Sequence, residues 1–345
     1  MMMAAHSVRI QTNYAGIVTR PETATLFDHF LLLFIKIEPI ISAMFLFIAG
    51  FSLTLSYAKV RQHTAQQQQQ WLLRILKRAA ALYGIAVVFF LAEYGFQWPD
   101  FVVSAGVLGT IALSIALSAA LLVYGKDYKP LLIASLLVIL GTYGLESQGW
   151  VVIGLNAGAG GHLPLVVMGF LGTLYGMSYQ KFSDNGLLAG LLVASLLAFL
   201  AFVIDYPNTF VYYSGFKIFG QSLPQQWLDS ALYLVSGDAP YTVRRAGFWN
   251  HAAIFPLRYC VVIILFMIIV MKAIPSASNR LLVFLNALGS YGLTIYVFHL
   301  VMLAAMEVSG FKPVTGWQTL LLILLLMISG YLLIRHRISP DPGSD

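Results

Sequence analysis

HFLLLFIKIEPIISAMFLFIAGFSLTLSY, residues His29–Tyr57, decides how the rest of the chain is read. It opens on a histidine, carries Lys36 and Glu38 ahead of Pro39, and then runs to Tyr57 without a charged side chain. An α-helix rises about 1.5 Å per residue, so a run of this length can cross a hydrocarbon core of roughly 30 Å. Gly50 and the small hydroxyl residues Ser52, Thr54 and Ser56 suit close approach of a neighbouring helix, because small side chains let two backbones meet inside a membrane.

The rest of the chain repeats this chemistry. With 59% hydrophobic and 10% charged residues and a mean hydropathy of +0.81, it departs from soluble domains, which carry about 25% charged residues. The fold class is therefore all-α, a polytopic integral membrane protein. Apolar runs place about nine spanning helices, near residues 31–57, 79–97, 101–124, 130–147, 162–180, 186–204, 253–274, 283–306 and 318–335. They form one transmembrane domain over 31–337, with an outer segment 1–30, an outer loop 205–250 and a tail 338–345. Cys260 is the only cysteine, which excludes an intrachain disulfide. The first residues lack the pattern of a secretory signal.

Alternating these helices across the membrane sorts the charges. One set of short loops holds 12 of the 20 Lys and Arg residues, among them Lys59, Arg61, Arg74, Lys77, Arg78 and Lys126. Positive charge in short loops marks the cytoplasmic face, so residues 1–30 lie outside and the C-terminus inside. The net charge of +6 reports this orientation and requires no nucleic-acid partner. Within the link Ala58–Arg78, the run Gln66–Gln70 reads as a flexible spacer, followed by a basic helical turn, WLLRILKR (Trp71–Arg78), at the membrane surface. Arg74, Lys77 and Arg78 admit two readings: contact with anionic lipid headgroups, or a grip on the phosphates of a cytosolic donor such as an acyl-CoA.

Ionisable groups within a bilayer are costly and mark functional positions. On this topology His6, His29, Glu38, His162 and His299 all fall toward the outer half of the membrane, with Glu93, Glu146, Asp205 and His251. A neutral imidazole can take a proton from a hydroxyl or amine, and a nearby carboxylate can orient it. His162 and His251 read as hydrogen-bonded structural residues; His63 and His336 read as cytoplasmic surface. No H-x-x-H, H-E-x-x-H or cysteine pair points to a metal, and neither a phosphate-binding loop nor a G-x-S-x-G elbow occurs.

Several segments, in order, resemble the heparan-alpha-glucosaminide N-acetyltransferase family, including its bacterial members, within the wider transmembrane acyltransferases. They are FLFIAGFSL (Phe45–Leu53), LLRILKRAAALYGI (Leu72–Ile85), GVLGTIAL (Gly106–Leu113), LPLVVMGFLGTLYG (Leu163–Gly176) and LGSYGLTIYVFH (Leu288–His299). The chain departs from that pattern in three places. A first helix bearing Asp-x-x-Arg-Gly is expected ahead of the stretch ending at His6, which would make ten helices. The Gln-Arg pair after Gly-Val-Leu is replaced by Gly109 and Thr110. A Tyr-Pro-Pro-Ser stretch survives only as Phe255–Arg258.

The resemblance implies transfer of an acetyl or similar acyl group from cytosolic acetyl-CoA, or another acyl-CoA, to a hydroxyl or amine of a sugar or glycan across the membrane. It places the catalytic histidine at His29, with His6 as the competitor, and matches His299 to the histidine closing the last motif. Glu38 or His299 would assist, by general-base or acyl-histidine chemistry, while Arg74, Lys77 and Arg78 would hold the donor. No metal is implied. Expected partners are membrane lipids and the glycan acceptor, with a homodimer left open, and the expected location is a bacterial inner membrane. From another class, a transporter or flippase for a glycolipid or acylated glycan fits the same outer polar groups, as does an inactive remnant.

Overall fold

A computed structural model describes residue 7 and residues 38–98, 100–103, 105–148, 150, 155, 161–182, 189–190, 192–193, 195–196, 255–273, 291–313 and 315–338. Among the described residues the secondary structure is helical throughout, as the hydropathy pattern requires when backbone polar groups must be satisfied within each segment. The helices are α1 (Glu38–Ala58), α2 (Ala65–Tyr94), the short α3 (Asp100–Val103), α4 (Gly106–Gly125), α5 (Lys129–Ser147), α6 (His162–Phe182), α7 (Phe255–Ala273), α8 (Gly292–Val308) and α9 (Gly316–Ile338). Among the described residues, four segments are long and apolar enough to cross a membrane: Ile40–Ala58, Ala65–Ala92, Gly106–Gly125 and Gly316–Arg335. Shorter apolar helices cover Lys129–Leu145, Tyr259–Ile269 and Thr294–Val308. The span expected near 186–204 and the loop 205–250 lie largely or wholly outside the described residues.

The chain divides into two compact units, one of Ser42–Ile268 and one of Met1–Ile41 with Ile269–Asp345. In the first, α2 packs on α4, α4 on α5 and α6, and α5 on α6. The helices alternate in direction, so the starts of α2 and α5 share an end with the finishes of α1, α4 and α6. Helix α6 is buried along most of its length, with Val167, Met168 and Thr173 at 0% exposure. Its composition explains this position: HLPLVVMGFLGTLYG mixes glycine and threonine among apolar residues, and small residues are what permit contact on several sides.

Helices α1 and α6 meet backbone to backbone. A Cβ added at Gly50 would lie 2.1 Å from the Gly169 carbonyl oxygen, and one at Gly172 would lie 2.0 Å from that of Phe47. Thr54 closes the seam by donating through Oγ1 to the Thr173 carbonyl at 3.0 Å. The close packing expected of Gly50 is therefore present, and its partner is the glycine-rich face of α6.

One expectation is corrected here. Gln66–Gln70 is the first turn and a half of α2, not a flexible spacer, and the helix expected near 79–97 begins at Ala65. Thr64 caps it: its Oγ1 accepts from the Gln67 N–H, while Gln67 Oε1 accepts from the Thr64 N–H at 3.1 Å. Gln68 also donates through Nε2 to the carbonyls of Arg61 (2.9 Å) and His63 (3.1 Å), tying the preceding turn to the helix. Glutamine is a good helix former, so a polar run after such a cap extends the helix. At the other terminus Gly95, with φ of 73°, takes the left-handed conformation that ends α2 and donates its N–H to Leu91.

In the second unit α8 and α9 pair through Leu303, Leu322 and Leu326, with Met306 alongside. Thr315 and Gln318 exchange hydrogen bonds at 3.2 and 3.3 Å at the start of α9, another reciprocal cap.

Candidate functional site

Of the residues expected to do chemistry, His6 and His29 lie outside the described residues. So does the side chain of Glu38, whose backbone opens α1. His251 likewise lies outside them. His299, in the middle of α8, is described and is completely buried. Its Nδ1 sits 3.2 Å from the Ile295 carbonyl one turn earlier, and the Tyr296 ring meets it edge-on at a centroid distance of 5.1 Å. A carbonyl oxygen only accepts, so the proton lies on Nδ1 and the lone pair of the neutral ring lies on Nε2. This is the tautomer a base or a nucleophile acting through Nε2 would need.

A second buried imidazole belongs to the other unit. His162, the first residue of α6, is 4% exposed, and its Nδ1 lies 3.0 Å from Thr110 Oγ1 on α4. Thr110 Oγ1 also lies 3.2 Å from the Gly106 carbonyl, to which it can donate. A Cβ built at Gly109 would lie 3.5 Å from His162 Nε2 and 3.4 Å from the Tyr83 ring, ordinary contact distances, so Gly109 borders this imidazole. Tyr83 in turn donates its hydroxyl to the Val102 carbonyl, joining α2 to α3 at this end.

Hydrogen bonding of His162 agrees with its structural reading from sequence, but its partner was not foreseen. The signal was in plain view: Gly109 and Thr110 stand out as small residues where the resembled pattern has large polar ones. The backbones of Glu93 near the end of α2 and Glu146 near the end of α5 fall at this same end of the unit. Among the described residues no three His, Cys, Asp or Glu side chains gather at metal-binding range.

At the opposite end of the same unit, the basic turn of α2 has a clear polarity. Trp71 and Leu72 are buried at 4% within a core that includes Tyr57, Leu122, Leu131 and Phe170, and Ala79 is buried at 5%. Trp71 Nε1 donates to Ser56 Oγ at 3.1 Å, and its ring packs on Tyr57. Arg74, Lys77 and Arg78 flank that buried stripe and are exposed. The structure thus gathers these three cations on one outward face.

Comparison with known proteins fits this picture. Neither a curated protein nor a solved structure was found to match the chain. The family model described as "Heparan-alpha-glucosaminide N-acetyltransferase, catalytic" matches residues 1–156, a stretch that contains α1 to α5, Thr110 and the basic turn. Residues 1–156, a little under half of the chain, are thus similar to the heparan-alpha-glucosaminide N-acetyltransferase family, and the described helices among them are apolar and suited to a membrane.

Proposed function

We propose that the protein is a membrane-bound acetyltransferase that takes an acetyl group from acetyl-CoA on the basic, cytoplasmic side. It would deliver that group to a hydroxyl or amine of a sugar on the other side. The observation that carries this reading is the family match over residues 1–156. The buried imidazole of His299, with its proton held on Nδ1 by Ile295, gives it chemical substance.

In the reaction the thioester C–S bond of the donor breaks and a C–O or C–N bond to the acceptor forms. The proton leaving the acceptor passes to an imidazole Nε2, and the CoA sulfur leaves as thiolate and is then protonated. His29 is the first choice for that imidazole, with His299 or Glu38 assisting and His6 as the alternative. A route through an acetyl-histidine uses the same residues in two steps. Exclusion of water by apolar helices favours transfer to the acceptor over hydrolysis.

The test is thioester consumption by the purified protein in nanodiscs, with glucosamine or a glycan acceptor, comparing wild type with His29→Ala. Loss of turnover by a factor of about 100 or more, with an unchanged gel-filtration profile, supports the assignment. Unchanged turnover removes His29 from the mechanism, and absence of CoA release from the wild type removes the acetyltransferase reading.

A further inference from the structure

We propose that the outward basic face of α2, formed by Arg74, Lys77 and Arg78, is a docking surface for the headgroups of anionic phospholipids. The proposal does not depend on the acetyl-transfer reading, and it assigns these three cations to lipid instead of the donor's phosphates.

Depth along the helix carries the argument. Helix α2 is continuous from Ala65 to Tyr94. At about 1.5 Å per residue, Tyr94 lies roughly 24 Å along the axis from Arg78 and roughly 30 Å from Arg74, close to the thickness of a hydrocarbon core. The residues just past Tyr94 mark the opposite interface. Phe96 and Trp98 are 76% and 71% exposed, and both stack on Phe101. Exposed aromatic residues clustered at a helix end fit the headgroup level of a membrane. With that end fixed, Arg74, Lys77 and Arg78 arrive at the headgroup level of the other leaflet. Ala65–Gln70, capped by Thr64 and polar from Gln66 onward, projects beyond it.

The face also points the right way. Positions 74, 77 and 78 are spaced i, i+3, i+4, so they share one side of the helix. All three are exposed, while Trp71, Leu72 and Ala79, along the adjoining stripe of the helix, are buried in the protein. The Trp71–Ser56 hydrogen bond fixes the rotation of this segment of α2 against α1. These three cations come from a single exposed helix face, as a headgroup layer would meet them. Neighbouring charges reinforce the field. Lys59, Arg61, Lys126, Lys129 and Lys181 are exposed at the same end of the unit. Each cation near an anionic membrane surface adds about fivefold to the attraction.

The experiment places the full chain in nanodiscs of phosphatidylcholine containing a small fraction of fluorescent phosphatidylglycerol. It measures enrichment of the anionic lipid around the protein by energy transfer from the native tryptophans. Wild type is expected to enrich phosphatidylglycerol, and the triple variant R74Q/K77Q/R78Q to reduce its association constant on the order of 100-fold. Because headgroups are met as point charges, R74K/R78K is expected to keep the enrichment, which also guards against a misfolded triple variant. Bidentate recognition of a donor phosphate would instead be lost with lysine. CoA and inorganic phosphate, each added at millimolar concentration, are expected to leave the enrichment in place. Unchanged enrichment in a monodisperse triple variant overturns the proposal. So does displacement of the lipid by CoA or phosphate.

Discussion

Replacing Gly172 by alanine tests the backbone seam that holds the first unit together. The new methyl would lie 2.0 Å from the Phe47 carbonyl oxygen and 2.8 Å from its Cα. Relaxed heavy-atom contacts need about 3.5 Å, so the two helices would have to separate by more than an ångström. Forced overpacking of this kind costs about 1–3 kcal/mol. Separation would also break the Thr54–Thr173 hydrogen bond, which at 3.0 Å is worth on average about 0.6 kcal/mol between membrane helices. Alanine's better helix propensity returns up to about 1 kcal/mol, leaving a net loss of about 1–3 kcal/mol. Gly141→Ala on α5 is the matched control, because nothing lies within 4 Å of a Cβ built there. Its predicted effect is between neutral and about 1 kcal/mol stabilising. Unfolding in mixed micelles titrated with dodecyl sulfate, followed by tryptophan fluorescence, measures both variants. If Gly172→Ala proves as stable as Gly141→Ala, the α1–α6 contact described here is wrong.

Four further outcomes follow from individual contacts. Thr64→Ala removes the reciprocal cap with Gln67 and should cost about 1 kcal/mol, with hydrogen exchange accelerating over Ala65–Gln70 while the middle of α2 stays protected. Trp71→Phe loses the donor to Ser56 and should cost about 0.5–1.5 kcal/mol; Ser56→Ala should cost no more when added to it, a coupling a double-mutant cycle reads. Thr110→Val withdraws the oxygen opposite His162 Nδ1 and should destabilise by about 1–3 kcal/mol, whereas Thr110→Ser should be nearly neutral. Nitrogen-15 spectra of labelled histidine should place a proton on Nδ1 of His299, and a proton on Nε2 alone would contradict the hydrogen-bond assignment.

Hydropathy exposed the helical class because every spanning segment must bury its own backbone hydrogen bonds, whatever its neighbours. Which helices touch is another matter. Gly50 advertised a close contact, but nothing in an apolar run says that Gly169 and Gly172 are the residues it meets, since membrane helices resemble one another in pattern. The glutamine run misled for a related reason: low complexity suggested a spacer, while Thr64 followed by Gln67 already spelled a capping box. The basic turn was legible as charge, and only the buried Trp71 and Leu72 revealed which way that charge faces. His299 was singled out by the motif that it closes, and it is buried on α8. The pairing of His162 with Thr110 was not legible, because the two are 52 residues apart and joined only by helix packing.

Acetyl transfer across a sealed membrane is the measurement on which the functional reading stands. Proteoliposomes loaded with glucosamine and sorted for one protein orientation would receive acetyl-labelled CoA outside. Labelled N-acetylglucosamine should then accumulate inside when the Arg74–Arg78 end faces the donor, and only background when His29→Ala replaces the wild type. No labelled product in either orientation, with free CoA staying at background, would contradict it.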